Sequence, residues 1–232
     1  MMTTEKMRDQ LEGVQSRIRE AAIRSGRDPE EIHLIAVTKT QSIETLERAF
    51  EAGIRTVGEN RVQEMLSKWP HFEHRFEWHI IGHLQTNKVK YIIDKVSLIH
   101  SVDSLKLAQE ISRLAVKSGR LIPILIQVNP AEEESKFGLS TDEVETLVRE
   151  AAELPGIAIQ GLMTIAPFVE DEALLRQVFS EMRRIYDHLK ALALPGVEMK
   201  YLSMGMTHDF EIAIEEGANM IRIGSGLFGD RK

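Results

Sequence analysis

A chain of 232 residues, 43 % of them apolar, is long enough to bury a full core and suits a single closed α/β unit, which often spans ~200–250 residues. It has no cysteine, which excludes disulfides, thiol catalysis and thiolate metal sites. The formal charge of −7, with acidic residues spread along helices, argues against general nucleic-acid or anionic-membrane binding. The opening MMTTEKMRDQLEGVQSRIRE has no signal-type apolar core and no run approaches ~18 apolar residues, so a soluble, cytoplasmic protein is expected.

In chain order, Met7, Leu11, Val14, Ile18 and Ala22 recur at steps of three and four and predict a helix over 4–25, closed by Gly26. The first strand is IHLIAVTKT, Ile32 to Thr40, a β-branched apolar run ending on Lys39. SIETLERAFEAG follows as a helix with Ser42 as N-cap and Gly53 at its end. RTVGEN is a second strand and RVQEMLSKW a short helix; FEWHIIG is a third strand, followed by the helical TNKVKYIID. VSLIHSV is the fourth strand, with Asp103 or Ser104 capping a helix that runs to Gly119. IPILIQVN is the fifth strand, and STDEVETLVREAAEL a helix capped by Ser140 or Thr141. IAIQGLMTI, then EDEALLRQVFSEMRRIYDHLKAL, then MKYLSMG give a strand, a long helix and a strand; THDFEIAIEEG and NMIRIG add a helix and the eighth strand.

Eight strands alternating with seven helices imply parallel pairing and right-handed crossovers. Continuous apolar runs mean strands covered on both faces. The pattern predicts a single-domain (β/α)8 TIM barrel over 1–232 with an extra N-terminal helix. The competing doubly wound sheet would carry a glycine-rich phosphate turn after strand one, where this chain has VTKTQS, and neither GxGxxG nor GxxxxGK[ST] occurs.

Function in a barrel gathers where strands end. Those ends carry Lys39, Glu59-Asn60, Gly82-His83-Gln85, Ser101-Asp103, Asn129, Thr164, Ser203-Met204-Gly205 and Gly224-Ser225-Gly226. Phosphate is frequently bound by the loops after strands seven and eight, so SMGMTHD and IGSGLFG point to a phosphorylated ligand. A lysine at a strand end is ordinarily solvated; attachment to a buried strand facing such loops gives Lys39 a functional reading. Arg222 shares a strand face with Gly224, and a charged side chain inside a barrel is expensive unless paired or used. His79 and His83 lack a third ligand and read as pocket or structural histidines rather than a metal pair, so no metal site is expected. The patch of Met199, Met204 and Met206 reads as packing. An amine facing a phosphate site leaves two chemistries open: a lysine Schiff base with a sugar phosphate, or one with pyridoxal 5′-phosphate (PLP).

Seven segments, IAVTK, GENRVQE, WHIIGHLQTNK, ESKFG, GLMTI, LSMGMTHDFEIAI and IRIGSGLFG, resemble in order those of the pyridoxal phosphate homeostasis proteins, across residues 35–229. That family is similar in fold to the N-terminal barrel of alanine racemases and lacks their second β domain. The resemblance implies that Lys39 forms the internal aldimine with PLP, that Ser203, Gly224 and Ser225 receive the phosphate, that Arg222 faces the pyridine nitrogen, and that Asn60 lines the pocket. Lys136 of ESKFG is the next candidate amine. The family pattern more often shows SMGMS and GTAIFG; Thr207 and Ser225 keep a hydroxyl, and Gly226 for Ala is expected to loosen the loop slightly.

An arginine partner leaves the pyridine nitrogen unprotonated and the ring a poor electron sink. Racemases add a tyrosine as second base, but Tyr91 and Tyr186 fall on predicted helices and Tyr201 enters strand seven at its far end. No residue is therefore assigned a catalytic role. The expectation is a monomeric PLP-binding protein that buffers the cofactor or delivers it to PLP-dependent apoenzymes, with a slow PLP-dependent amino-acid racemase as the rival.

Overall fold

The computed structural model describes residues 3–131 and 137–229. Strands β1 (His33–Val37), β2 (Thr56–Glu59), β3 (Glu77–Ile80), β4 (Leu98–Val102), β5 (Ile122–Gln127), β6 (Ile157–Met163), β7 (Val197–Ser203) and β8 (Met220–Ile223) run parallel and close in chain order into a barrel. The closing seam pairs β8 with β1, setting Ile35 beside Arg222 and Ala36 beside Ile223. Among the described residues no helix is long and apolar enough to cross a membrane.

The helices are α1 (Thr4–Arg24), α2 (Ile43–Glu51), α3 (Val62–Phe72), α4 (Leu105–Lys117), α5 (Val144–Ala152), α6 (Glu172–Ala191), α7 (Phe210–Glu215) and α8 (Ser225–Phe228). Each long helix buries a stripe at helical spacing; in α6 it is Leu175, Val178, Phe179, Met182, Ile185, Tyr186 and Leu189. These stripes meet the outward faces of the strands in one continuous core. A second, smaller cluster of Ile35, Leu98, Leu125, Met163 and Met220 fills the barrel's inside. α1 packs on α2, α7 and α8, and its Arg17 holds Glu211 of α7 through two 2.8 Å hydrogen bonds. The N-terminal helix thereby braces the corner where the last strand turns.

At Gly161 the backbone of β6 comes close against that of β7. The glycine's φ is +143°, and a Cβ there would lie 1.8 Å from the Tyr201 carbonyl oxygen. Only a residue without a side chain lets β6 and β7 meet at this irregular point in their register.

Four local expectations are corrected. The segment 86–94 forms a 3-10 turn over Thr86–Tyr91 in place of a longer helix; Asn, Val and Tyr are indifferent helix formers, and burial of Val89, Ile92 and Ile93 sets the path instead. α5 begins at Val144 without a side-chain cap, because the Ser140 hydroxyl is committed to the Glu143 carboxylate, 2.6 Å away. α3 continues through Pro70 to Phe72, whose ring is buried. The glycine-rich end after β8 folds into the short helix α8, where the sequence pattern predicts none. Lys136, together with Glu134 and Ser135 of ESKFG, lies outside the described residues.

Candidate functional site

At the C-terminal rim, β1 runs out at Val37 and the chain turns through Thr38, Lys39 and Thr40 into α2. Gln41 N–H donates to the Thr38 carbonyl at 3.0 Å, and Ser42 caps α2 by accepting from Thr45 N–H at 3.1 Å. This turn walls one side of a cavity of about 460 Å3, within the ~300–1,000 Å3 typical of small-molecule sites. The lining brings Lys39 together with Arg222, Gly224 and Ser225. It also includes Phe168, Met206, Thr207 and His208, of which Phe168 and His208 meet edge to face at 5.4 Å.

Arg222 reaches the cavity from the inside of the barrel, buried to 3 % exposure. Its Nη1 donates to Ser203 Oγ and its Nη2 to the Thr164 carbonyl, both at 2.7 Å. Neither acceptor is a carboxylate, so the site presents a buried cation held by neutral groups. Burial pushes its pKa down to about 10, with Asp209 pulling the other way. It is charged at neutral pH.

Below Arg222 the barrel carries a line of polar side chains. Ser203 Oγ lies 3.0 Å from His100 Nδ1, and His100 Nε2 lies 3.0 Å from His79 Nδ1. Arg222 only donates, so Ser203 accepts from it, and we assign the serine proton to His100 Nδ1, which gives each contact of the line a donor and an acceptor. His100 Nε2–H then donates to His79 Nδ1. Burial depresses both imidazoles, His79 to about 3 and His100 well below its ordinary value, so both are neutral.

The sequence-derived residues thus fall into two groups. Lys39, Arg222, Gly224 and Ser225 share the cavity. Ser203 lies behind the lining, fully buried, with its hydroxyl engaged by Arg222 and His100. Asn60 follows β2 directly, outside the residues that line the cavity, and its Oδ1 is buried without a hydrogen-bond partner. His83 stacks on Phe137 at 3.9 Å, away from His79. Phe168, His208 and the His79–His100 pair are contributions that reading strand ends alone misses.

The family model described as alanine racemase, N-terminal domain, matches residues 10–232, which defines the class of barrel. A pyridoxal phosphate homeostasis protein of Aquifex aeolicus (strain VF5) is 43 % identical over 225 residues, 97 % of this chain and 98 % of that protein. PipY of Synechococcus elongatus PCC7942, solved with PLP bound, superposes with a TM-score of 0.81 at 34 % identity, covering 92 % of this chain and 99 % of that one. A crystal structure of an unknown protein from Bifidobacterium adolescentis superposes at 0.93 with 37 % identity, covering 97 % and 95 %. The chain belongs to the pyridoxal phosphate homeostasis protein family.

Proposed function

We propose that the chain binds PLP in the rim cavity and serves as a holder of the cofactor, buffering it or delivering it to PLP-dependent apoenzymes, without robust turnover. The carrying observation is that one cavity gathers a primary amine, a buried guanidinium and the glycine-rich β8–α8 turn. The donor set fits the group: an amine for the aldehyde, small residues and hydroxyls for a phosphate, and a fixed donor for a ring nitrogen. PLP supplies an aldehyde that links reversibly to a primary amine with loss of water.

Within that reading Lys39 Nζ forms the covalent link. Gly224 and Ser225 take the phosphate, with Thr207 beside them, while Ser203, behind the lining, holds Arg222 in place. Arg222 donates to the pyridine nitrogen and, keeping its own protons at neutral pH, leaves that nitrogen unprotonated. Asn60, outside the cavity lining, is assigned no contact with the bound group. The reading without turnover is supported by the tyrosines. Tyr91 is exposed on the 3-10 turn, Tyr186 of α6 donates to the Met199 carbonyl, and Tyr201 meets His33 edge to face at 5.3 Å, at the opposite mouth of the barrel. None lines the cavity.

His208 does line it, and this favours a second reading: a slow amino-acid racemase with Lys39 and His208 as the two bases. Incubation with L-alanine in deuterated water separates the two, and stereo-inversion at about 1 s⁻¹ or faster would overturn the holder reading. The primary test is the absorption spectrum of purified protein before and after borohydride. A reducible adduct that maps to Lys39 and vanishes in Lys39→Ala is expected; an adduct that persists in Lys39→Ala places the amine elsewhere, with Lys136 next to examine.

A further inference from the structure

The GENRVQE segment, Gly58 to Glu64, carries two carboxylates that the proposed site does not use. Both converge on Lys68 of α3. Its Nζ lies 2.7 Å from Glu59 Oε1, 2.7 Å from Glu64 Oε1 and 2.7 Å from the Thr38 carbonyl, which uses all three ammonium protons. Thr38 Oγ1 donates to Glu59 Oε1 at 2.7 Å, and Glu64 Oε1 also accepts from Thr40 N–H. The cluster is buried: the Lys68 side chain is 5 % exposed and that of Glu59 fully covered. The residues on both sides of Lys39 are therefore tied to one ionic group, and Lys39 between them lines the cavity.

Two physical points make this more than a staple between α3 and the barrel. Thr40 has φ +65°, one of two non-glycine residues with positive φ among those described. A β-branched residue there is costly and persists only where its surroundings over-determine it. A buried ion pair, moreover, adds little net stability over an apolar pair of the same shape, because desolvation offsets the attraction. What the ionic arrangement does supply is direction, through five short hydrogen-bonding contacts, three of which end on the Thr38–Thr40 turn.

We infer that Glu59, Glu64 and Lys68 are positioning residues, a buried ionic clamp that holds the Thr38–Thr40 turn in its strained form and so aims Lys39 Nζ into the cavity. The inference rests on the reading of Lys39 as the amine that links to PLP. Glu64 is the accessible handle, being partly exposed, so its removal leaves no uncompensated charge deep in the core. In the full-length protein, Glu64→Ala should speed exchange of the Thr40 amide about tenfold or more, as expected when a local hydrogen bond is lost. It should also speed PLP release, followed by loss of the adduct band on dilution into an excess of a competing amine, by about fivefold or more. Borohydride should still trap the adduct on Lys39, and Glu64→Gln, which keeps an oxygen for Thr40 N–H, should recover most of the parental behaviour. The double variant Glu59→Gln/Lys68→Met removes both buried charges together and guards against a folding artefact; it should also release PLP faster. Release rates within twofold of the parent in both Glu64→Ala and the double variant overturn the inference, even if Thr40 exchange rises, because the turn would then be held without setting the lysine. If the parent forms no adduct on Lys39, the cofactor reading fails instead; the Thr40 exchange then shows whether the clamp exists without it.

Discussion

Lowering the pH should destabilise the protein through two residues in particular. His79 and His100 are buried, hydrogen-bonded to each other and neutral, with His79 held down to about 3. In the unfolded chain each returns to about 6.5. Between those values the unfolded state binds protons that the native state refuses, so stability is full above about pH 6.5 and falls as the pH drops towards 3. At pH 5 an unfolded imidazole gains RT ln(1 + 10^1.5), about 2 kcal/mol, and two of them about 4 kcal/mol. Glu59 and Asp209 work in the other direction, since burial raises both carboxyls and lets the native state take up protons first. The comparison must therefore be made against a variant that keeps those carboxyls. Urea unfolding of the parent and of His79→Gln/His100→Gln at pH 7 and pH 5 does this. With m near ~3 kcal/mol/M, the parent's midpoint should fall about 1.3 M further than the variant's over that interval. The same pH dependence in both proteins would refute the assignment of neutral, uncharged imidazoles.

Arg222→Ala should weaken PLP retention by about 1.5–3 kcal/mol, roughly 10- to 150-fold, the usual worth of hydrogen bonds to a charged donor. It should also shift the cofactor's absorption; equilibrium titration reads the first and the spectrum the second, and unchanged affinity would show that Arg222 does not meet the ring. Gly161→Ala forces a Cβ to 1.8 Å from the Tyr201 oxygen and should cost about 3 kcal/mol or more, seen as a fall in Tm. A Tm close to the parent's would mean that β6 and β7 can separate at low cost.

Strand parity made much of this site legible. Gly224 follows β8 two residues after Arg222, and Lys39 follows a run that buries on both faces, so their meeting at one rim follows from the barrel itself. The same parity places His100 inward, two residues after Leu98, yet nothing local announces that its partner is His79 on a neighbouring strand. Lys68 is the clearer lesson. It falls three residues after Met65 and four before Phe72, on the buried stripe of α3, but that stripe is invisible when the helix is ended at Trp69 ahead of Pro70. A lysine on an apolar stripe is a signal of a buried ion pair, and the two acids of GENRVQE were its partners in plain sight. The cap of α5 is hidden from the sequence for a different reason: Ser140 bonds a side chain there, and sequence pattern does not distinguish that from a bond to a helix N–H.

The position of the site on the closing seam carries a consequence for what it can do. Arg222 sits beside Ile35 across the β8–β1 pairing, and Lys39 extends from that same first strand. The amine and the guanidinium therefore come from opposite ends of the chain and meet only when the barrel is shut. The clamp that aims Lys39 adds a third region, since Lys68 reaches the turn from α3. A ligand spanning Lys39 and the β8–α8 turn would bind the closed barrel and not the open chain, so its binding energy would be felt as global stability, about 2.7 kcal/mol at a concentration one hundred times Kd. On the proposed reading this is the behaviour of a holder. The rim contributes a lysine for reversible attachment, and the barrel contributes a guanidinium that keeps its protons. Loss of the ligand is then opposed by the same contacts that keep the first and last strands together.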